Sequence, residues 1–180
     1  KVRGSLRSME RQDEIIKALS KNVDINNNLE FCSLDLLNDD GWDNAMKDCE
    51  YVLHVASPFS ITNPKDENDV IKPAKEGTLR ALKSAKKAGV KRVVLTSSIA
   101  AMAAHLKKGT FNASSWTDLN ATNLTAYEKS KTIAEQSAWD FIKNQDREKK
   151  RLLGELVKPF ILRRKKNEVL TGLPEKIEEI

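Results

Sequence analysis

An α/β fold with a doubly wound parallel sheet is predicted for this chain, and three patterns predict it. Short strand-like runs at 2–6, 29–36, 51–56 and 92–97, the last of them carrying a β-branched pair, alternate with segments of helical periodicity. The run 51–56 is apolar almost throughout, as a strand buried on both faces of a parallel sheet is. Both this run and 92–97 end in small polar residues, Ala56-Ser57-Pro58 and Thr96-Ser97-Ser98, where such sheets bind ligands at their carboxyl edge. Alternating strands and helices imply right-handed crossovers.

In chain order, residues 2–6 read as a strand and 9–19 as a helix with Ile15, Ile16 and Leu19 on one face. A polar turn at 22–28 leads to the alternating strand 29–36 and a short helix over 41–47. Strand 51–56 is followed by a loop and then by a helix over 70–88. Pro73 falls in the first turns of that helix and Gly89 caps it. Strand 92–97, a long loop over 103–125 and a last helix complete the order. In the last helix Ile133, Ala134, Ala138, Phe141 and Ile142 keep apolar phase.

With 180 residues the chain is long enough for one domain with a core of its own. Its formal charge of +5 is modest and partly local to Arg163-Arg164-Lys165-Lys166, so a nucleic-acid surface is not required. Cys32 and Cys49 read as buried thiols in a reducing, cytoplasmic setting. No Cys/His cluster has zinc-ligand spacing, and no apolar run is long enough to span a bilayer. No metal site and no membrane partner are expected.

Chemistry concentrates in Tyr127-Glu128-Lys129-Ser130-Lys131. Tyr127 and Lys131 are four residues apart, one helical turn, and so share a face. A free phenol titrates near ~10 and exchanges protons poorly at neutral pH. A nearby ammonium stabilises the phenolate, and the phenol can then act as acid or base. A serine hydroxyl from Ser97-Ser98 can hold a carbonyl oxygen beside it. Alternation along a continuing strand would send Ser97 and Ser98 to opposite sides and leaves both open.

These residues carry a resemblance. From Val2 to about Asn144 the chain resembles the extended short-chain dehydrogenases/reductases, within the NAD-dependent epimerase/dehydratase superfamily and near its dihydroflavonol-reductase and aldehyde-reductase branch. The matching segments are Val2-Arg3-Gly4-Ser5-Leu6-Arg7-Ser8, His54-Val55-Ala56-Ser57-Pro58-Phe59, Lys91 to Ser98, Ser115-Trp116-Thr117-Asp118 and Tyr127 to Lys131. The resemblance implies a Rossmann-like fold and an NADP-dependent reductase of aldehydes or ketones, NAD being less favoured. Ser98, Tyr127 and Lys131 are then the catalytic residues. Cofactor contacts are implied at Arg7, Asp35, Leu36, Ala56, Ser57 and Thr96, and again at Tyr127 and Lys131. Arg7, with Ser5 or Arg3, would meet a ribose 2′-phosphate, whereas an acid there would suit a bare hydroxyl. Asp35 reads equally as a turn cap, His54 as a core histidine, and Trp116 and Asp118 as packing. A homodimer through the helices before the serine strand and around Tyr127 is also implied.

The family sets a Gly-rich pyrophosphate turn before Val2, and the seven glycines here form no such turn. The expectation is therefore a partial dinucleotide-binding domain over 1–148, truncated at its first strand, with an outer sheet position empty. From about 150 the chain resembles instead the segment joining the lobes of Swi2/Snf2-type helicase-like ATPases, through Pro159-Phe160-Ile161-Leu162-Arg163-Arg164 and Leu173-Pro174-Glu175-Lys176. A separate tail over 149–180, helical or irregular and joined by gene fusion, is expected. No phosphate loop or Asp-Glu-x-His box accompanies it. Two further readings stand beside the reductase: an inert remnant, and a nucleic-acid-dependent ATPase fragment.

Overall fold

The computed structural model describes residues 1–59, 64–104 and 109–157. Its elements follow the predicted alternation: β1 (Val2–Leu6), α1 (Gln12–Leu19), β2 (Leu29–Ser33), α2 (Trp42–Met46), β3 (Tyr51–His54), α3 (Asn68–Lys87), β4 (Arg92–Leu95), α4 (Ala100–Ala103) and α5 (Ala126–Val157). All pairing among them is parallel, Val2 standing opposite Leu29 and Tyr51 opposite Arg92. The fold is a Rossmann-like α/β arrangement of parallel strands and crossover helices.

Two expectations change. The strands form two pairs, β1–β2 and β3–β4, with no ladder joining the pairs among the described residues. Among the described residues the sheet is thus interrupted between the two pairs. Strand β3 is also not buried on both faces. Val52 and His54 turn inward, while Tyr51 is 60%, Leu53 72% and Val55 63% exposed. Period-two alternation explains this, since the helices packed on the inward side cover every second residue.

The core gathers on that inward side. Trp42 and Met46 of α2 meet Ala81 and Ala85 of α3, with Leu34, Leu36, Val52, Val90 and Val93 packed around them. Trp42 satisfies its indole N–H on the carbonyls of Asn38, at 2.9 Å, and Asp35, at 3.2 Å. Helix α3 ends as its sequence predicts. Gly89 takes φ +70°, its N–H donates to the Lys86 carbonyl, and the Val90 N–H donates to the Ala85 carbonyl. That is a Schellman cap, which needs a residue without Cβ strain at the left-handed position.

Helix α5 packs along α3, and the small buried residues Ala74, Ala81, Ser130, Ala134 and Ala138 on the two helices favour close approach. Lys129 ties α5 to Glu67 at the start of α3, at 2.7 Å. The start of α5 is set by a capping box. The Thr125 N–H and hydroxyl both donate to the Glu128 carboxylate, and the Glu128 N–H donates back to the Thr125 hydroxyl. Beyond 144 the helix continues unbroken to Val157. Most residues carrying the Swi2/Snf2 likeness, 158 onward, lie outside the described residues, as does His105.

Gly77 shows how tight the α3 contact is. A Cβ there would stand 2.4 Å from the Leu36 side chain and 3.0 Å from its Cβ. Alanine at this position gains about 1 kcal/mol of helix propensity, yet overpacking of this kind costs about 1–3 kcal/mol. Gly77→Ala is expected to lower the urea midpoint; a raised midpoint would show that Leu36 moves aside freely.

Candidate active site

The site forms where β4 ends and α5 begins. Strand β4 stops at Leu95, so Thr96, Ser97 and Ser98 leave the ladder as irregular chain, and strict alternation does not govern them. The Thr96 N–H still donates to the His54 carbonyl at 3.0 Å, which anchors the segment to β3. The two serine hydroxyls face different partners. Ser97 donates to Glu135 at 2.5 Å, whereas Ser98 lies 3.5 Å from the Tyr127 hydroxyl and accepts from the Ala100 N–H at 3.2 Å. At 3.5 Å the two hydroxyls are too far apart for a well-formed O–H···O bond. They flank a common point instead, and such contacts commonly tighten only with substrate present.

Lys131 lies one turn along α5, buried, and donates to the Thr96 carbonyl at 3.1 Å. Loss of hydration pushes its amine below the ordinary lysine range. His54 is buried on the inward side of β3, where desolvation first, and the Lys131 charge second, push it down to about 4. A neutral core histidine is thus what the structure shows. Phe59 stands edge-on to Tyr127, ring centroids 5.5 Å apart, and gives the site an apolar lip.

Four of the residues implied as cofactor contacts line one small cleft: Ala56, Ser57, Thr96 and Lys131, together with Ser97 and Glu135. The others lie apart from it. Arg7 is exposed beyond the carboxyl end of β1. The Asp35 carboxylate accepts the Leu37 N–H at 2.8 Å, the local turn allowed for in its sequence context. Leu36 packs into the core and its carbonyl accepts from Arg80 at 2.6 Å. Arg3 is engaged by Glu30 and by the carbonyls of Ala45 and Lys47. Thr117, beside Trp116, is buried and pins its loop to α4, its hydroxyl donating to the Ala100 carbonyl at 2.7 Å. Asp118 closes a local turn on the Asn120 N–H.

Glu135 is the polar residue that sequence reasoning passed over. Its signal was present, because it stands eight residues after Tyr127 and four after Lys131, in phase with both. Among the described residues no group of acidic, Cys or His side chains is arranged to hold a metal ion, and no helix is long and apolar enough to cross a membrane.

Known proteins are similar to this chain in sequence and fold. The 3-beta hydroxysteroid dehydrogenase/isomerase family matches residues 5–153. That match ends short of the segment with the Swi2/Snf2 likeness. Anthocyanidin reductase of Arabidopsis thaliana is 37% identical over 124 residues, which cover 64% of this chain and 36% of that protein. Dihydroflavonol 4-reductase of Gerbera hybrida is 36% identical over 126 residues, covering 66% of this chain and 34% of the enzyme. Among solved structures, yeast methylglyoxal/isovaleraldehyde reductase Gre2 complexed with NADPH matches at TM-score 0.66 and 34% identity, over 82% of this chain and 47% of Gre2. The chain thus spans less than half the length of these relatives.

The buried histidine yields a pH dependence. Folded His54 takes a proton only near pH 4, unfolded histidine near 6.5. Between those values the unfolded chain binds more protons, so stability is complete above 6.5 and is lost as pH falls toward 4. The full loss approaches about 3 kcal/mol. In His54→Gln, unfolding free energies measured from ~pH 7 down to ~pH 4.5 should fall less steeply than in the parent chain.

Proposed function

Because the chain belongs to the 3-beta hydroxysteroid dehydrogenase/isomerase family, we propose that it reduces the carbonyl of an aldehyde or ketone with a nicotinamide cofactor, NADPH ahead of NADH. The observation that carries this reading is the convergence of Tyr127 and Ser98 hydroxyls beside a buried Lys131. The cofactor, when bound, supplies the hydride. Side chains of this chain supply the proton and the orientation.

Ser98 donates a hydrogen bond to the substrate oxygen and holds it at the point that its own hydroxyl and that of Tyr127 flank. Tyr127 passes its phenolic proton to that oxygen as negative charge develops there. The Lys131 ammonium stands one turn along the same face. The donors present suit the ribose end of a cofactor, which on binding would have to open the cleft beyond the 10 Å³ it holds here. Lys131 uses one N–H on the Thr96 carbonyl and keeps two for ribose hydroxyls, and the cleft walls at Ala56 and Ser57 are small enough for close approach. Arg7, free to turn at the carboxyl end of β1, suits a 2′-phosphate. The NADPH bound by Gre2 supports the same preference. Phe59, exposed beside Tyr127, favours a substrate with apolar surface next to its carbonyl.

Calorimetric titration with NADPH and then NADH tests the cofactor half of this reading; equal or absent binding of both would count against it. Tyr127→Phe tests the chemical half. The ring and its Phe59 contact remain, so the melting temperature should hold while turnover drops by about 10²–10⁴. Retention of full activity would remove Tyr127 from the reaction.

A further inference from the structure

Glu135 is 1% exposed, the largest of the most deeply buried side chains. Nothing in the proton transfer described above uses it. A carboxyl group buried this far is costly unless its oxygens are matched by donors. Its place on α5 explains what it is matched to. Tyr127, Lys131 and Glu135 recur every four residues along one face, and that face meets three consecutive residues after β4. Tyr127 approaches Ser98 at 3.5 Å, Lys131 donates to the Thr96 carbonyl at 3.1 Å, and Glu135 accepts from Ser97 at 2.5 Å. Ser97 lies between Thr96 and Ser98 in the chain, so a contact that holds Ser97 holds both neighbours.

We propose that Glu135 is a positioning residue: by gripping Ser97 it sets the Thr96–Ser98 segment, and through it the Ser98 hydroxyl against Tyr127 and the Thr96 carbonyl against Lys131. This rests on the carbonyl-reductase reading for its purpose, but the coupling itself exists in the folded chain without cofactor or substrate. Glu135 takes no part in the proton transfer described above. It acts through Ser97.

The test reads the position of Lys131 directly. Part of what holds the His54 imidazole neutral is the Lys131 charge, so the His54 titration reports where that ammonium stands. The chain has two histidines, and His105→Gln leaves His54 as the single imidazole signal in a nuclear magnetic resonance titration. Glu135→Ala and Ser97→Ala are each expected to move the His54 midpoint upward as Lys131 is released. Glu135→Gln retains an acceptor oxygen for Ser97 and should bring the midpoint back toward that of the parent chain. This pattern is readable whether or not the chain turns substrate over, so it separates failure of the coupling from failure of the reductase reading. Variants that melt earlier with an unchanged His54 midpoint would make Glu135 a packing residue and overturn the proposal. Should Glu135→Ala not fold, Ser97→Ala decides alone, since it removes one hydroxyl and leaves the carboxyl in place. In an active preparation, the alanine variants should lose about 10- to 100-fold in kcat, as small misplacements of reacting groups do, with partial rescue by Glu135→Gln.

Discussion

Burial of charged and polar groups in the first turns of α5 is the constraint on which the rest of this structure depends. Ser130, Lys131, Thr132 and Glu135 all lie within the protein. Each such group must find a partner inside or cost the fold several kcal/mol. Ser130 and Thr132 turn back onto carbonyls of their own helix, those of Tyr127 and Glu128. Lys131 and Glu135 reach out to the segment after β4. That division decides which part of the molecule α5 must touch, and at which rotation about its axis.

The capping box at Thr125 and Glu128 fixes where the helical phase begins, and therefore where Tyr127 points. Small residues on α3 and α5 bring the two helices close, and the core under α2 and α3 holds β3 and β4 in register. Positions of the hydroxyls thus follow from a chain of local decisions, most of them made far from the hydroxyls themselves. The site needs no strained backbone to exist; it needs α5 to start at the right residue and to stay buried.

How much of this could be read beforehand varied with the physics involved. Strand and helix order was legible because apolar periodicity is a local property, and the Gly89 cap because a left-handed position nearly demands glycine. Tyr127 and Lys131 were legible because helical spacing alone puts them together. Ser97 and Ser98 could not be separated, since the choice depends on β4 stopping at Leu95, and strand ends are set by tertiary pairing. The exposure of Tyr51, Leu53 and Val55 was invisible for a similar reason: an all-apolar run states that a strand can be buried, not that both faces are. Glu135 was overlooked because a glutamate on a charged helix reads as solvated surface until its neighbours are known. Thr125-Ala126-Tyr127-Glu128 was open to view as a capping box and marks the helix start more sharply than periodicity does.

The ladder between α5 and the end of β4 also has an entropic side. Its contacts join residues 29, 35 and 38 positions apart, so they close essentially the same loop. Closing a flexible loop of that length costs about 3 kcal/mol, and the cost grows only with the logarithm of length. It is therefore met once, by whichever contact forms, and the others add their enthalpy against little further loss of chain freedom. Loss of a single rung gives the chain back almost none of that freedom, while loss of all three gives it back together. The geometry of the ladder thus behaves as a cooperative unit whose members protect one another, a property that belongs to the loop and to no single contact within it.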